Sequence, residues 1–254
     1  MILDSFGLKG KNALVTGSRV GLGAGIAVGL AQAGANVVVH GRDSMGIEEV
    51  CAAVTATGAK AVRAIADVSD THACEELVEL TVRELGSIDI LINNAGIIRR
   101  SPAAEFSMKD WMDIIEINFN AVFRLSQLAG RYMLKQGRGR IVNIASLLSF
   151  QGGVFVPAYT AAKSGVAGIT KAFANEWASK GINVNAIAPG YMVTDNTAAL
   201  RKDAERSRQI LERIPAGRWG EPADLAGAAV FLCSPASDYV HGHVLVVDGG
   251  WLAR

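Results

Sequence analysis

The chain of 254 residues is short of charge. Asp, Glu, Lys and Arg make up 19% of it, against about 25% in an average soluble domain. The net charge is +1, so no bulk field draws the protein to nucleic acid or to an anionic membrane. No apolar run approaches the roughly 18 residues of a membrane span. The N-terminal Met1-Ile2-Leu3-Asp4 carries an acid where a secretory signal would carry basic residues. The three cysteines, Cys51, Cys74 and Cys233, are far apart and odd in number. They fit no disulfide framework and no zinc site, and they point to a reducing, cytoplasmic setting. The four histidines form no H-E-x-x-H pattern, so no metal ligands are expected. Only six prolines accompany 28 glycines, which excludes collagen and Pro/Gly-rich disorder.

What is abundant is glycine and apolar sequence, the latter 50% of the chain. Short β-branched runs alternate with longer helical patterns. The predicted strands are Asn12–Thr16, Asn36–His40, Ala59–Ala64, Ile88–Asn93, Arg140–Ala145, Asn183–Ala188 and Val244–Val247. Helical patterns cover the residues up to Ala33, then Gly46–Thr57, Thr71–Leu85, Ser107–Gln136, Tyr159–Lys180 and Ala223–Cys233. Continuous apolar strands separated by helices predict a parallel sheet covered on both faces. The expected class is α/β: one doubly wound Rossmann fold over residues 1–254, with a seven-stranded parallel sheet. The charged stretch Tyr191–Arg218 follows the sixth strand, at the edge where such sheets bind ligands, and is a candidate substrate lid.

The first strand runs into Thr16-Gly17-Ser18-Arg19-Val20-Gly21-Leu22-Gly23. A glycine turn opening a helix lets backbone amides approach a pyrophosphate, whose charge the helix N-terminus stabilises. The spacing G-x-x-x-G-x-G differs from the common G-x-G-x-x-G, and no Gly-Lys-Ser/Thr makes it a P-loop. An acid at the end of the second strand would bind an adenosine ribose 2′-hydroxyl and select NAD. Here that position falls on Gly41, followed by Arg42, and a guanidinium suits the 2′-phosphate of NADP. A register two residues later would bring in Asp43 and reverse this preference.

Tyr159 and Lys163, four residues apart in a helical pattern, share one face. Ser146 ends the fifth strand thirteen residues earlier, and Asn118 lies in the preceding long helix. Alcohol oxidation by hydride transfer needs a base, and tyrosine ionises near pH 10, too high unaided. A cation about 4 Å away, at an effective dielectric near 20, contributes roughly 4 kcal/mol, or about three pKa units. Lys163 is the expected source.

With these motifs the chain resembles the short-chain dehydrogenase/reductase family over its whole length. Thr16–Gly23, Asp67-Val68, Asn93-Asn94-Ala95-Gly96, Asn118, Ser146, Tyr159, Lys163, Pro189-Gly190 and Thr194 carry the resemblance. It implies a catalytic tetrad. Tyr159 would be the acid/base, Lys163 would lower its pKa and hold the nicotinamide ribose, and Ser146 would bind the substrate oxygen. Asn118 would keep a water relay through Lys163. It further implies that Gly17, Ser18, Arg19, Gly21, Leu22 and Gly23 bind the cofactor phosphates, that Asp67 and Val68 meet the adenine, and that Asn93 to Gly96 line the channel. Pro189, Gly190 and Thr194 would meet the nicotinamide. Gly96-Ile97-Ile98-Arg99-Arg100, Ser149–Gly153, the IPAGRWG and DGGWLAR segments are similar to sugar-acid dehydrogenases of this family, which leans to NAD. Arg99 or Arg100 is expected to clamp a substrate carboxylate, with Gln151, Tyr191 and Asn196 on sugar hydroxyls. The alternatives are a reductase for another carbonyl and a non-catalytic cofactor-binding protein. A homotetramer is expected by the same resemblance.

Overall fold

The structure is a computed structural model and describes residues 1–254. Seven strands form, β1 (Asn12–Val15), β2 (Asn36–Gly41), β3 (Ala61–Ile65), β4 (Ile90–Asn93), β5 (Gly139–Ile144), β6 (Ile182–Pro189) and β7 (Val244–Val247). They lie in one parallel sheet in the order β3-β2-β1-β4-β5-β6-β7. The chain winds outward from β1 to β3, then crosses back to place β4 against β1. That reversal opens a crevice at the carboxyl ends of β1 and β4, where doubly wound sheets bind ligands.

Side-chain alternation divides the core between the two faces. Ala13 and Val15, Val37 and Val39, and Ile90 and Ile92 face one cluster, packed under α1 (Gly21–Gln32), α2 (Ile47–Thr55) and α9 (Ala226–Cys233). Leu14, Val38 and Leu91 face the other, beneath α3 (Thr71–Leu85), α5 (Ala121–Gln136) and α6 (Pro157–Trp177). Burial on both faces explains why the strands read as continuous apolar runs. No helix is long and apolar enough to cross a membrane.

Several boundaries differ from the sequence reading. Ile88 and Asp89 precede β4, because the Asp89 carboxylate accepts bonds from Arg138 Nε (3.0 Å), Ser87 Oγ (2.7 Å) and the Asn12 amide (3.2 Å). The long helix divides into α4 (Met108–Ile115), a π-helical turn over Glu116–Asn120, and α5. Such a turn is a frequent mark of a functional site. α6 begins two residues before Tyr159, at Pro157, whose fixed φ suits a first helical position. Ala223 falls in a 3-10 turn, Pro222–Leu225, ahead of α9.

After β6 the chain makes an excursion through α7 (Ala198–Lys202) and α8 (Ala204–Arg213). Its base is zipped shut, since the Val193 amide donates to Gly220 O (2.7 Å) and the Gly220 amide to Tyr191 O (2.9 Å). Ile210 and Ile214 pack with Leu147 and Trp251 beneath it.

The helical glycines have separate roles. A Cβ on Gly29 would lie 2.6 Å from Ala226 Cβ, one on Gly25 2.7 Å from Pro222 O, and one on Gly165 2.8 Å from the Phe119 ring. Gly168, expected to serve close packing, has nothing within 4 Å and is exposed, so within one chain it packs against nothing. Gly29→Ala is therefore expected to destabilise by about 1–3 kcal/mol through overpacking. Gly227→Ala, in open space on α9, is expected to be neutral or to stabilise by up to about 1 kcal/mol. Urea unfolding midpoints check both.

Candidate active site

The glycine turn is braced from three sides. The Gly17 amide donates to His40 Nδ1 (2.9 Å), the Ser18 amide to His40 O (2.8 Å), and His40 Nε2 contacts Ala66 O (3.0 Å). The ring thus accepts at Nδ1 and donates at Nε2, and burial pushes its pKa down to about 4, so it is neutral near pH 7. Asn94 Nδ2 donates to Thr16 O (2.9 Å) and Gly17 O (3.1 Å), and Thr16 Oγ1 accepts from the Asn94 and Ala95 amides. A Cβ on Gly17 would sit 2.9 Å from Ala95 Cα, and one on Gly23 2.5 Å from Asn94 Nδ2. These glycines are required by strand-to-turn contact. The Gly17 and Ser18 amides are already taken, so they do not serve a phosphate. The amides of Gly21, Leu22 and Gly23, in the first turn of α1, find no acceptor within the protein and remain for an anion.

At the end of β2, Gly41 is buried and the Arg19 side chain lies over it, with Cδ 2.6 Å from where a Cβ would stand. Arg42 is exposed, and its charge, after two Ser69 hydrogen bonds, helps hold the Asp67 carboxyl low. Asp43 pairs with Arg19 (3.4 Å) and accepts from the Met45 amide (3.1 Å). The register thus stays on Gly41 and Arg42. Val68 is buried, and its carbonyl accepts from Arg124 (3.3 Å). Asn93, expected in the cofactor channel, is instead a core residue, donating to Ser126 Oγ (2.9 Å) and Asn143 Oδ1 (2.8 Å).

Across the crevice, Ser146 follows β5 and its Oγ accepts from the Leu148 amide (3.2 Å). Lys163 is 3% exposed and its ammonium donates to Ile144 O (2.5 Å), with Nζ 5.6 Å from the Tyr159 ring centre. Burial pushes the Lys163 pKa down to about 8. Burial raises Tyr159, while the Ser146 hydroxyl and the Arg100 charge pull it back. The sequence arithmetic assigned that lowering to Lys163, but the ammonium is turned to a carbonyl rather than to the phenol. Asn118 is wholly buried in the π turn. Its Oδ1 accepts from the Ile97 amide (2.8 Å) and its Nδ2 donates to Ile97 O (2.8 Å). These two bonds fix the segment after β4, and they leave one N–H and one lone pair of the Asn118 amide unused. Gly96 lies against it, 3.3 Å from Oδ1 to a built Cβ.

Ser146 and Tyr159 open into a cavity of about 220 Å³. Leu22, Pro189, Gly190 and Thr194 line its cofactor side, and Thr194 stands over Gly21. Arg100, Gln151, Tyr191 and Asn196 all line it, as expected. Tyr191 also packs on Trp251, ring centres 4.6 Å apart. Arg99 does not reach the cavity. It pairs with Asp110 (2.9 Å) and Asp113 (3.3 Å), which removes it as a substrate clamp. Two residues escaped the sequence reading: His40, whose only signal was its place at a strand end beside the glycine turn, and Arg206, which lines the cavity from α8.

A doubly wound sheet, a glycine turn with free amides and a Ser-Tyr-Lys cluster at its carboxyl edge define a nicotinamide-dependent oxidoreductase. Comparison agrees. A family model described as enoyl-(acyl carrier protein) reductase matches residues 17–252. The chain belongs to the short-chain dehydrogenase/reductase family and is an NAD(P)-dependent oxidoreductase. It is 57% identical over 255 residues to a 2-dehydro-3-deoxy-D-gluconate 5-dehydrogenase of Dickeya dadantii, covering 100% of both chains. An Agrobacterium tumefaciens protein described as a 2-deoxy-D-gluconate 3-dehydrogenase, solved with bound NADP, is 54% identical with a TM-score of 0.92, covering 99% of this chain and 100% of that one. A Beutenbergia cavernae protein described as an NAD(P)-dependent gluconate 5-dehydrogenase, with NADP at low occupancy, is 50% identical with a TM-score of 0.94, covering 98% and 100%.

Burying a charged lysine costs stability. Its folded pKa, near 8, lies below the usual 10.5, so the unfolded chain binds the extra proton and the penalty is full below pH 8. Lys163→Met is expected to stabilise the cofactor-free protein by about 1–3 kcal/mol at pH 7. The gain should fade as pH rises from 8 to 10.5. Thermal melts across that range check it.

Proposed function

We propose that the protein oxidises the C5 hydroxyl of 2-dehydro-3-deoxy-D-gluconate, or reduces the matching ketone. The observation that carries this is one cavity holding Ser146, Tyr159 and an arginine without a carboxylate partner, Arg100. The substrate names of the relatives, all sugar acids, support the same class. A nicotinamide cofactor, when bound, would supply the hydride acceptor or donor. Ser146 donates a hydrogen bond to the substrate oxygen, and Tyr159 takes or returns its proton. Lys163 sets positive potential behind the site and would hold the nicotinamide ribose of a bound cofactor, while Asn118 positions the segment after β4. Tyr159→Phe is expected to lower turnover, followed at 340 nm, by about 10²–10⁴-fold. Retained turnover contradicts the mechanism.

The cofactor reading is NADP. Arg19 and Arg42 flank the place where an acid would select NAD, and Gly41 leaves room for Arg19. Arg42→Ala is expected to raise KM for NADP about 10- to 100-fold and to leave KM for NAD within about twofold. Arg100 is the primary carboxylate ligand. Arg100→Ala is expected to lose activity on sugar acids and keep it on neutral polyols; equal loss on both counts against this role. Residues 191–218 act as a lid over the substrate. A homotetramer is supported by exposed Met112 and Phe123 on α4 and α5 and by the open Gly168 on α6. Light scattering at the monomer mass contradicts it. Cytoplasmic residence is supported by three unpaired thiols.

A further inference from the structure

Several arginines near the substrate cavity already have carboxylate partners. Arg99 pairs with Asp110 and Asp113, Arg208 with Glu205 and Glu212, and Arg218 with Asp224. Arg100 and Arg206 line the cavity and form no ion pair. Arg100 reaches only Asn196 O (3.4 Å), and Arg206 only the neutral Gln209 Oε1 (3.2 Å).

The two come from different elements. Arg100 follows β4, and the next residue is pinned by its amide to Phe155 O (3.0 Å). Arg206 stands in the first turn of α8, and its amide is fixed by the Asp203 Oδ1 cap (2.9 Å). Two uncompensated guanidiniums facing one cavity repel each other, and an anion between them removes that repulsion. The planar guanidinium fork matches a carboxylate by paired charge-assisted bonds.

We propose that Arg206 is a specificity-determining residue that binds the substrate carboxylate together with Arg100. The substrate class is a hydroxy acid short enough to place its carboxylate between the two arginines while its reacting hydroxyl meets Ser146 and Tyr159. Because Arg206 rides on the excursion after β6, the bound carboxylate also holds that excursion against the sheet. This rests on the sugar-acid reading above and adds the second cation to it.

The test is calorimetric titration of D-gluconate and of neutral D-glucitol into the enzyme saturated with its nicotinamide cofactor. Wild type, Arg206→Ala and Arg206→Lys are compared, and turnover of 2-dehydro-3-deoxy-D-gluconate is measured alongside. In Arg206→Ala the gluconate Kd should rise about 10- to 100-fold, and glucitol binding should change less than about twofold. Arg206→Lys should recover part of the loss. An unchanged gluconate Kd, an equal loss on glucitol, or a wild type that prefers neither ligand overturns the proposal. Arginine-dependent gluconate binding without any turnover of the sugar acid would support Arg206 and contradict the proposed reaction instead.

Discussion

The Lys163 ammonium is held in the interior by one backbone carbonyl, that of Ile144 at the last position of β5. A buried charge with so little compensation is costly, and the rest of the site is arranged around it. It ties α6 to the strand that ends beside Ser146 and brings Tyr159, one helical turn earlier, to the same edge. The Ser149 hydroxyl donates to Lys163 O (2.7 Å), which closes the loop between strand and helix. An apolar residue there would avoid that cost but would leave no cation beside Tyr159, whose ring centre lies 5.6 Å from Nζ.

The cofactor side is built on a second, neutral constraint. His40, Asn94 and Thr16 brace the glycine turn from within, and the first-turn amides of α1 remain unpaired. Gly17 and Ser18 thus hold shape, and the amides of Gly21 to Gly23 stay free, as an anion site at a helix N-terminus requires. The two constraints face each other across the crevice where the strand order reverses, and the substrate cavity continues from their junction under α7 and α8.

The sheet was legible because buried parallel strands must be apolar on both faces, and the runs ending at Val15, Asn93 and Ile144 show it. Tyr159, Lys163 and Ser146 were legible because their spacing converts directly into shared position. What the sequence hid depends on tertiary partners. Arg99 and Arg100 are adjacent and identical in type, and only Asp110 and Asp113 on α4 separate them. The π turn over Glu116–Asn120 keeps a helical pattern, so the rotation of Asn118 toward Ile97 leaves no trace in composition. Asn93 reads like a channel residue, but alternation along β4 turns its side chain to Ser126 and Asn143. Arg206 sits in a charged helix beside Arg208, which Glu205 and Glu212 neutralise, and Arg213, which stacks on Trp251, a distinction only tertiary geometry makes.

The central claim is that this geometry transfers a hydride to or from a sugar acid. The most direct measurement is the initial rate at 340 nm of the wild-type enzyme with 2-dehydro-3-deoxy-D-gluconate, comparing NADP⁺ and NAD⁺. The expected result is saturable formation of reduced cofactor, with kcat/KM for NADP⁺ above that for NAD⁺ by about tenfold or more. No absorbance change with either cofactor, at saturating substrate, contradicts the account.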